Sequence, residues 1–247
     1  KVVDEPVTVV ISEKGWVRAR QGHGHDAQQF SFKQGDALYG TFECRTTDTM
    51  LAFGSNGRVY SIAVNALPGA RGDGVPVTSL CEVESGSRLV HYFAGPADTP
   101  LLLASTAGYG FSAKAGDMVS RQKGGKSFMT LDTGDEPVMP RVIPKGAKSI
   151  ACLSANGRLL VFGIDEIKNQ PGGGRGVILM ELDVDEQLLS AEAIVKSVKV
   201  VGIAQRTGKA TEVALSGADL THHAGKRARK GKLLASRMKA THLDAQG

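Results

Sequence analysis

The side chains with most chemistry to offer are cations set in glycine-rich stretches: Arg71-Gly-Asp-Gly74, Arg121-Gln-Lys-Gly-Gly-Lys126, Gly172-Gly-Gly-Arg-Gly176 and Lys226-Arg-Ala-Arg-Lys-Gly-Lys232. Glycine has no Cβ and leaves backbone N–H groups bare, so guanidinium and ammonium groups on such turns can approach an oxyanion closely. No Ser/His/Asp or Cys/His arrangement assembles beside them, and no catalytic residue is assigned. Gly124-Gly-Lys-Ser127 ends like a nucleotide-binding loop, but Ser120 stands where the first glycine belongs. Gly22-His-Gly-His-Asp-Ala27 matches a dinucleotide-binding glycine pattern, yet Gln28-Gln-Phe-Ser-Phe32 does not continue as a helix. His23, His25 and Asp26, like the pair His222-His223, have no partner at a zinc spacing, so no metal site is expected. Arg71-Gly-Asp73 reads as part of its turn rather than as an adhesion motif. Tyr39, Tyr60, Tyr92 and Tyr109 fall in or beside strand patterns, where packing is their expected role.

The elements that position these cations emerge from a repeat. Ile11-Ser-Glu-Lys-Gly15-Trp-Val-Arg-Ala19 aligns with Phe53–Ser61, Ala104–Ser112 and Leu153–Val161, and more weakly with Ala204–Glu212; the shared glycine recurs at intervals of 42, 51, 49 and 51 residues. That period is too long for a helical-pair solenoid and suits a four-stranded blade. Asn56-Gly57 and Asn156-Gly157 lie between apolar runs, which predicts tight hairpins with type I′ turns. Further strands are expected at Val7–Ile11, Leu38–Phe42, Leu89–Phe93, Leu101–Ala104, Phe128–Leu131, Val177–Leu182 and Val198–Ile203. Long helical patterning is scarce, and the best candidates, Glu186–Lys196 and part of Leu233–Ala240, are short. Every hairpin after the first is followed by one of the basic turns and then an apolar stretch, so the cations occupy one equivalent point of each blade. In a radial arrangement equivalent points share a rim, and scattered charges become a belt.

Composition limits what that belt can meet. The 247 residues are 41% hydrophobic and 22% charged, the balance of a soluble globular chain. The net charge of +5 is uneven: residues 196–247 hold 11 basic and 3 acidic side chains, residues 1–195 hold 19 and 22. No apolar run long enough to span a bilayer occurs, and no secretory signal is evident; a chain beginning at Lys1 reads as a piece of something longer. Cys44, Cys81 and Cys152 form no C-x-x-C and are expected as core residues in a reducing compartment. Aromatic residues are only 5%, too few for stacking platforms, and Trp16 reads as a core or hairpin-flanking residue, so single-strand binding is disfavoured against duplex DNA held through its phosphates. The expected contacts are Arg58, Arg71, Arg121, Lys123, Lys126, Arg158, Arg175, Lys226, Arg227, Arg229, Lys230 and Lys232, joined by Arg18 and Arg20 from the first blade.

Several motifs, in order and spacing, resemble the C-terminal domain of the A subunit of bacterial type IIA topoisomerases. They are Glu5-Pro-Val-Thr-Val-Val-Ile-Ser12, Gly15-Trp-Val-Arg18, Gly22-His with Asp26, Leu67-Pro-Gly-Ala-Arg-Gly-Asp-Gly-Val-Pro76, Ala107-Gly-Tyr-Gly-Phe111, Val138-Met-Pro140 and Gly225-Lys-Arg227. The resemblance implies an all-β fold, a β-pinwheel of about five four-stranded blades that exchange strands with neighbours, with blades starting near 5, 46, 97, 146 and 195 in one domain over 1–247, a basic last blade or tail over 226–247, and a ring that could be open. It implies a non-catalytic duplex-DNA-binding role, cytoplasmic and nucleoid-associated, beside the parent chain's cleavage domains and the separate ATPase (B) subunit. ATP and Mg2+ would act elsewhere in the parent enzyme, and no cofactor is expected in this domain. Gyrase-type domains carry a Gln-Arg-Arg-Gly-Gly-Lys-Gly box in the first blade, where this chain reads Arg20-Gln-Gly-His-Gly-His-Asp26; Arg121-Gln-Lys-Gly-Gly-Lys126 is a partial copy in the third repeat. This favours the topoisomerase IV branch, with decatenation and relaxation, over gyrase-type wrapping. A protein-interaction propeller is the other alternative; against it, Trp-Asp repeats are absent.

Overall fold

The fold is described from a computed structural model, over residues 1–69 and 71–246. Ala70, inside the Leu67–Pro76 turn, and Gly247, at the end of the basic last segment, lie outside the described residues. The strands are β1 (Pro6–Ser12), β2 (Trp16–Gln21), β3 (Leu38–Arg45), β4 (Thr49–Gly54), β5 (Arg58–Ala63), β6 (Val75–Pro76), β7 (Leu89–Gly95), β8 (Pro100–Ala104), β9 (Tyr109–Lys114), β10 (Lys126–Ser127), β11 (Arg141–Val142), β12 (Ser149–Ser154), β13 (Arg158–Gly163), β14 (Val177–Ile178), β15 (Leu188–Ile194), β16 (Ser197–Ala204), β17 (Ala210–Ser216), β18 (Lys232–Leu233) and β19 (Met238–Gln246). One α-helix is present among the described residues, α1 (Ala218–His222).

The chain divides into two compact units, residues 1–99 with 114–129, and residues 100–113 with those from 130 onward. The first unit holds two antiparallel sheets, ordered β3-β1-β2-β6 and β7-β4-β5-β10. Their facing residues form one core: Val7, Val9, Ile11 and Val17 pack with Met50, Ala52, Tyr60 and Ile62. The second unit holds β11-β8-β9-β14, β15-β12-β13-β18 and β19-β16-β17. Its middle sheet is buried on both faces. Ile150, Cys152, Leu160 and Phe162 meet Leu102, Ala104 and Leu179, while the alternate residues Ala151, Leu153, Leu159 and Val161 meet Val198, Val200 and Leu243.

Each fourth strand comes from the following repeat. β6, which follows the β4–β5 hairpin in sequence, pairs with β2; likewise β10 pairs with β5, β14 with β9 and β18 with β13. The backbone explains the recurring glycines. Gly57 is at φ +87°, and a Cβ there would lie 2.0 Å from the Met129 carbonyl oxygen of the incoming segment. The hairpin glycine's own carbonyl accepts from the residue that follows the exchanged strand: Val77 N–H to Gly15, Phe128 to Gly57 (joined there by Met129), Leu179 to Gly108 and Leu234 to Gly157, at 2.7–3.1 Å.

The all-β blade architecture agrees with the sequence reading, with four corrections. The fifth sheet has three strands among the described residues rather than four. The hairpins are not type I′: Phe53 pairs with Val59, where an Asn-Gly loop would set Ser55 opposite Arg58. Only the glycine takes positive φ, and Asn56 instead uses its Oδ1 to accept from the Arg58 N–H at 3.1 Å, giving a type I turn followed by a left-handed glycine. In place of the strand expected at Phe128–Leu131 the structure has a two-residue strand just before it, Lys126–Ser127, and the one expected at Val177–Leu182 is shortened to Val177–Ile178, because the chain then turns inward to bury Phe128, Met129, Leu179 and Met180. Glu186–Lys196 holds β15, and Leu233–Ala240 joins β18 to β19; neither is helical, because both stretches pair into sheets.

Candidate nucleic-acid interface

All four basic turns lead into an exchanged strand, and each turn is laid against the second hairpin strand of the sheet that receives it. The first touches β2 through the Ala19–Gly69 bridge, the third touches β9 through Ser112–Asn169, and the fourth touches β13 through Val161–Ala224. The glycine that closes each turn fits where no other residue would. At Gly176, φ +83°, a Cβ would lie 2.1 Å from the Gly110 carbonyl oxygen. Basic residues just before that glycine are thereby held at the outer edge of the sheet.

The expected contact residues separate into three groups. Arg18, Arg58 and Arg158 point into the turns. Arg18 is 5% exposed, donates to the carbonyls of Gly72 (2.6 Å) and Ser31 (2.5 Å), and lies over the rings of Phe30 and Phe32 at 5.7 and 5.3 Å. Arg58 donates from Nε and Nη2 to the Gly124 carbonyl at 3.1 and 2.8 Å and reaches Gly125 O at 3.1 Å. Arg158 Nη1 donates to Gly231 O at 3.3 Å. These three hold the turns in place.

A second group is matched by protein partners. Arg175 forms a two-pronged pair with Asp132, Nη1–Oδ2 2.8 Å and Nη2–Oδ1 3.0 Å, over the ring of Tyr109. Those hydrogen bonds hold the Asp132 carboxyl below its ordinary range. Lys230 pairs with Asp183 and lowers its pKa in the same way. Arg227 donates through Nη1 to Ile178 O at 2.7 Å, and its backbone N–H donates to Glu166 Oε1 at 3.1 Å. Lys126 is half-buried, its Nζ 5.9 Å from the Phe128 ring.

The third group faces outward: Arg71, Arg121, Lys123, Lys226, Arg229 and Lys232 are exposed, and among the described residues none is paired with a carboxylate. Arg20, also exposed, lines a shallow cleft with His25, Pro68 and Arg71. Residues 226–232 are not a loose tail, because the backbone carbonyl of Arg229 accepts from Glu181 N–H at 3.0 Å before β18 joins its sheet. Sequence reasoning missed the carboxylate partners Asp132 and Asp183. Their separation of 51 residues, the same as a repeat interval, was the available signal.

The histidines and cysteines have structural partners. His23 and His25 bond through Nε2 to the carbonyls of Cys44 and Gln21 at 2.8 and 2.7 Å. His223 is buried with Nδ1 3.2 Å from Leu159 O, and burial lowers its pKa. The three cysteines are free and buried; burial raises the thiol of Cys44 to about 12 and that of Cys81 to about 11. Among the described residues no helix is long and apolar enough to cross a membrane.

Strand-exchanged, propeller-type sheets with cationic exchange turns define the class. The chain belongs to the family described as DNA gyrase C-terminal domain, beta-propeller, whose profile matches residues 48–91, 99–136 and 148–194. It is 40% identical over 241 residues to the A subunit of DNA topoisomerase 4 from Neisseria gonorrhoeae, covering 94% of this chain and 30% of that protein. It is 34% identical over 235 residues to the protein of that name from Pseudomonas aeruginosa, covering 93% and 31%. The chain thus spans about 30% of the length of these relatives. Among solved structures it superposes on the E. coli ParC C-terminal domain with a TM-score of 0.82 at 28% identity, covering 97% of this chain and 98% of that one. A gyrase A C-terminal domain shares the fold, with a TM-score of 0.67 at 16% identity, covering 98% and 83%.

Proposed function

We propose that this is the non-catalytic duplex-DNA-binding domain of the A subunit of a topoisomerase IV. It binds and bends DNA segments and so steers which segment the parent enzyme engages during ATP-dependent decatenation and relaxation in chromosome segregation. Tethered binding raises the effective concentration of one duplex near the cleavage domains and the ATPase (B) subunit. The carrying observation is that outward-facing cations recur on exchange turns: Arg71, Arg121 and Lys123, Lys226 and Arg229. Such groups gain affinity by releasing counterions from phosphates, with no reading of base sequence. The similarity to topoisomerase 4 relatives and the lack of a gyrase-type box at Arg20–Asp26 support the topoisomerase IV branch.

The test is fluorescence anisotropy of mixed-sequence duplexes over a range of salt, followed by a topology assay on circular DNA bound to the domain. A steep fall of affinity with salt and little trapped writhe are expected. Salt-independent affinity, or strong preference for one short site, overturns DNA-backbone binding, and substantial trapped writhe overturns the topoisomerase IV assignment in favour of gyrase-type wrapping.

A further inference from the structure

We infer that Asp132 and Asp183 are built-in competitors for phosphate, each occupying the place on an exchange-turn cation that a DNA phosphate would take. The inference rests on the DNA-binding reading above and adds which turns engage at full strength. Both residues stand two positions before a left-handed backbone residue, Gly134 at φ +90° and Asp185 at φ +65°. Earlier repeats have the same landmark at Gly86, φ +82°, and Gly35, φ +83°, with Glu84 and Lys33 two residues before. One structural position therefore carries Lys33, Glu84, Asp132 and Asp183 in successive repeats.

What that position does changes along the chain. Lys33 lies over the Trp16 ring, its Nζ 3.6 Å from the centroid, and adds positive charge. Glu84 approaches Arg58, at 3.7 Å, and leaves Arg121 and Lys123 free among the described residues. Asp132 takes both prongs of Arg175, and Asp183 takes Lys230. A carboxylate held by the guanidinium fork uses the same pair of N–H donors that a phosphate would use. Both partners are solvent-accessible, with 36% of the Arg175 side chain and 63% of the Asp132 side chain exposed, so a phosphate can displace the carboxylate by competition. The turns carried by β2 and β5 are therefore unguarded, and those carried by β9 and β13 are partly neutralised.

The experiment measures duplex affinity of the whole domain by anisotropy across a salt range, for Asp132→Asn, Asp183→Asn, the charge-matched control Asp98→Asn and the double change Asp132→Asn with Arg175→Gln. Asp98 is exposed. Each of the first two should bind about two- to fivefold more tightly than the control, the range expected for releasing an exposed ion pair. The slope of log K against log salt should steepen by about 0.9 per freed cation. The gain should vanish in the double variant. A gain no larger than that of Asp98→Asn overturns the inference, as does a loss of affinity, which would mean that Asp132 orients Arg175 for DNA. If these arms fail while the wild-type domain binds duplex in a salt-dependent way, only this inference falls; if the wild type does not bind, the DNA-binding reading falls with it.

Discussion

Arg58 and Gly124, 66 residues apart in the chain, are joined by two hydrogen bonds to a single carbonyl oxygen. The guanidinium of one repeat thus fixes the backbone of the next repeat's turn, and Arg121 and Lys123 project from what it fixes.

Replacing Arg58 with Ala removes charge-assisted bonds from a side chain that is 29% exposed and should destabilise the domain by about 1–3 kcal/mol. Amide hydrogen exchange should rise across 120–126, and duplex affinity should fall. Arg58→Lys should recover part of the affinity, since one ammonium can reach one carbonyl but cannot fork. Unchanged exchange in that turn would show that Arg58 does not hold it.

Gly176 and Gly72 both have positive φ, +83° and +81°, yet only Gly176 meets backbone, at 2.1 Å from Gly110 O. Gly72→Ala should cost about 1 kcal/mol, the strain of a left-handed alanine. Gly176→Ala must in addition push β14 off β9, and a loss of about 3 kcal/mol or more is expected. Urea denaturation of the two variants separates these outcomes, and equal midpoints would mean that the exchanged strand has room to move.

Glutamate at positions 121, 123 and 126 together should lower duplex affinity at least tenfold and flatten the salt dependence, since each lost phosphate contact removes about 0.9 from the slope. The β circular-dichroism spectrum should stay unchanged, because Arg121 and Lys123 are exposed and Lys126 is only half-buried. Unaltered affinity would remove this turn from the interface.

Arg141 bridges Glu192 at 3.3 Å and Asp244 at 3.5 Å, and its Nη2 donates to the Leu243 carbonyl at 2.5 Å. Burial raises the Glu192 carboxyl to about 7 despite the opposing arginine. With a folded pKa above the unfolded value of about 4.3, the native state binds the extra proton, so this group's contribution to stability falls as pH rises from about 4.3 to 7. Glu192→Gln should flatten that part of the stability-against-pH curve. Arg141→Met leaves a buried carboxylate uncompensated and should cost about 3–5 kcal/mol at pH 8 and less at pH 5. A loss that does not change with pH would show that Glu192 is not the titrating group.

The repeat was legible because all five shared glycines take positive φ, a backbone state that favours glycine over other residues, so their spacing stands out where side chains vary. The basic turns were legible for the same reason, since each ends in such a glycine. The exchange of strands was not: Val75–Pro76 or Lys126–Ser127 is too short to show alternation, and nothing local names the sheet it joins. β15 looked helical because six of its seven residues are buried on both faces, which erases the period of two. Arg18 and Arg71 read alike as surface cations, but one is buried under Phe30 and Phe32 and the other is exposed, a difference set by residues brought together only in three dimensions.

The donated fourth strand also sets an order of assembly during synthesis. The sheet begun by residues 6–45 stays open along β2 until residues 75–76 have left the ribosome, and the sheet of β4, β5 and β7 must wait in turn for residues 126–127. Each of these two sheets is therefore completed by the repeat that follows it, and a nascent chain halted along this stretch carries at least one unsealed edge.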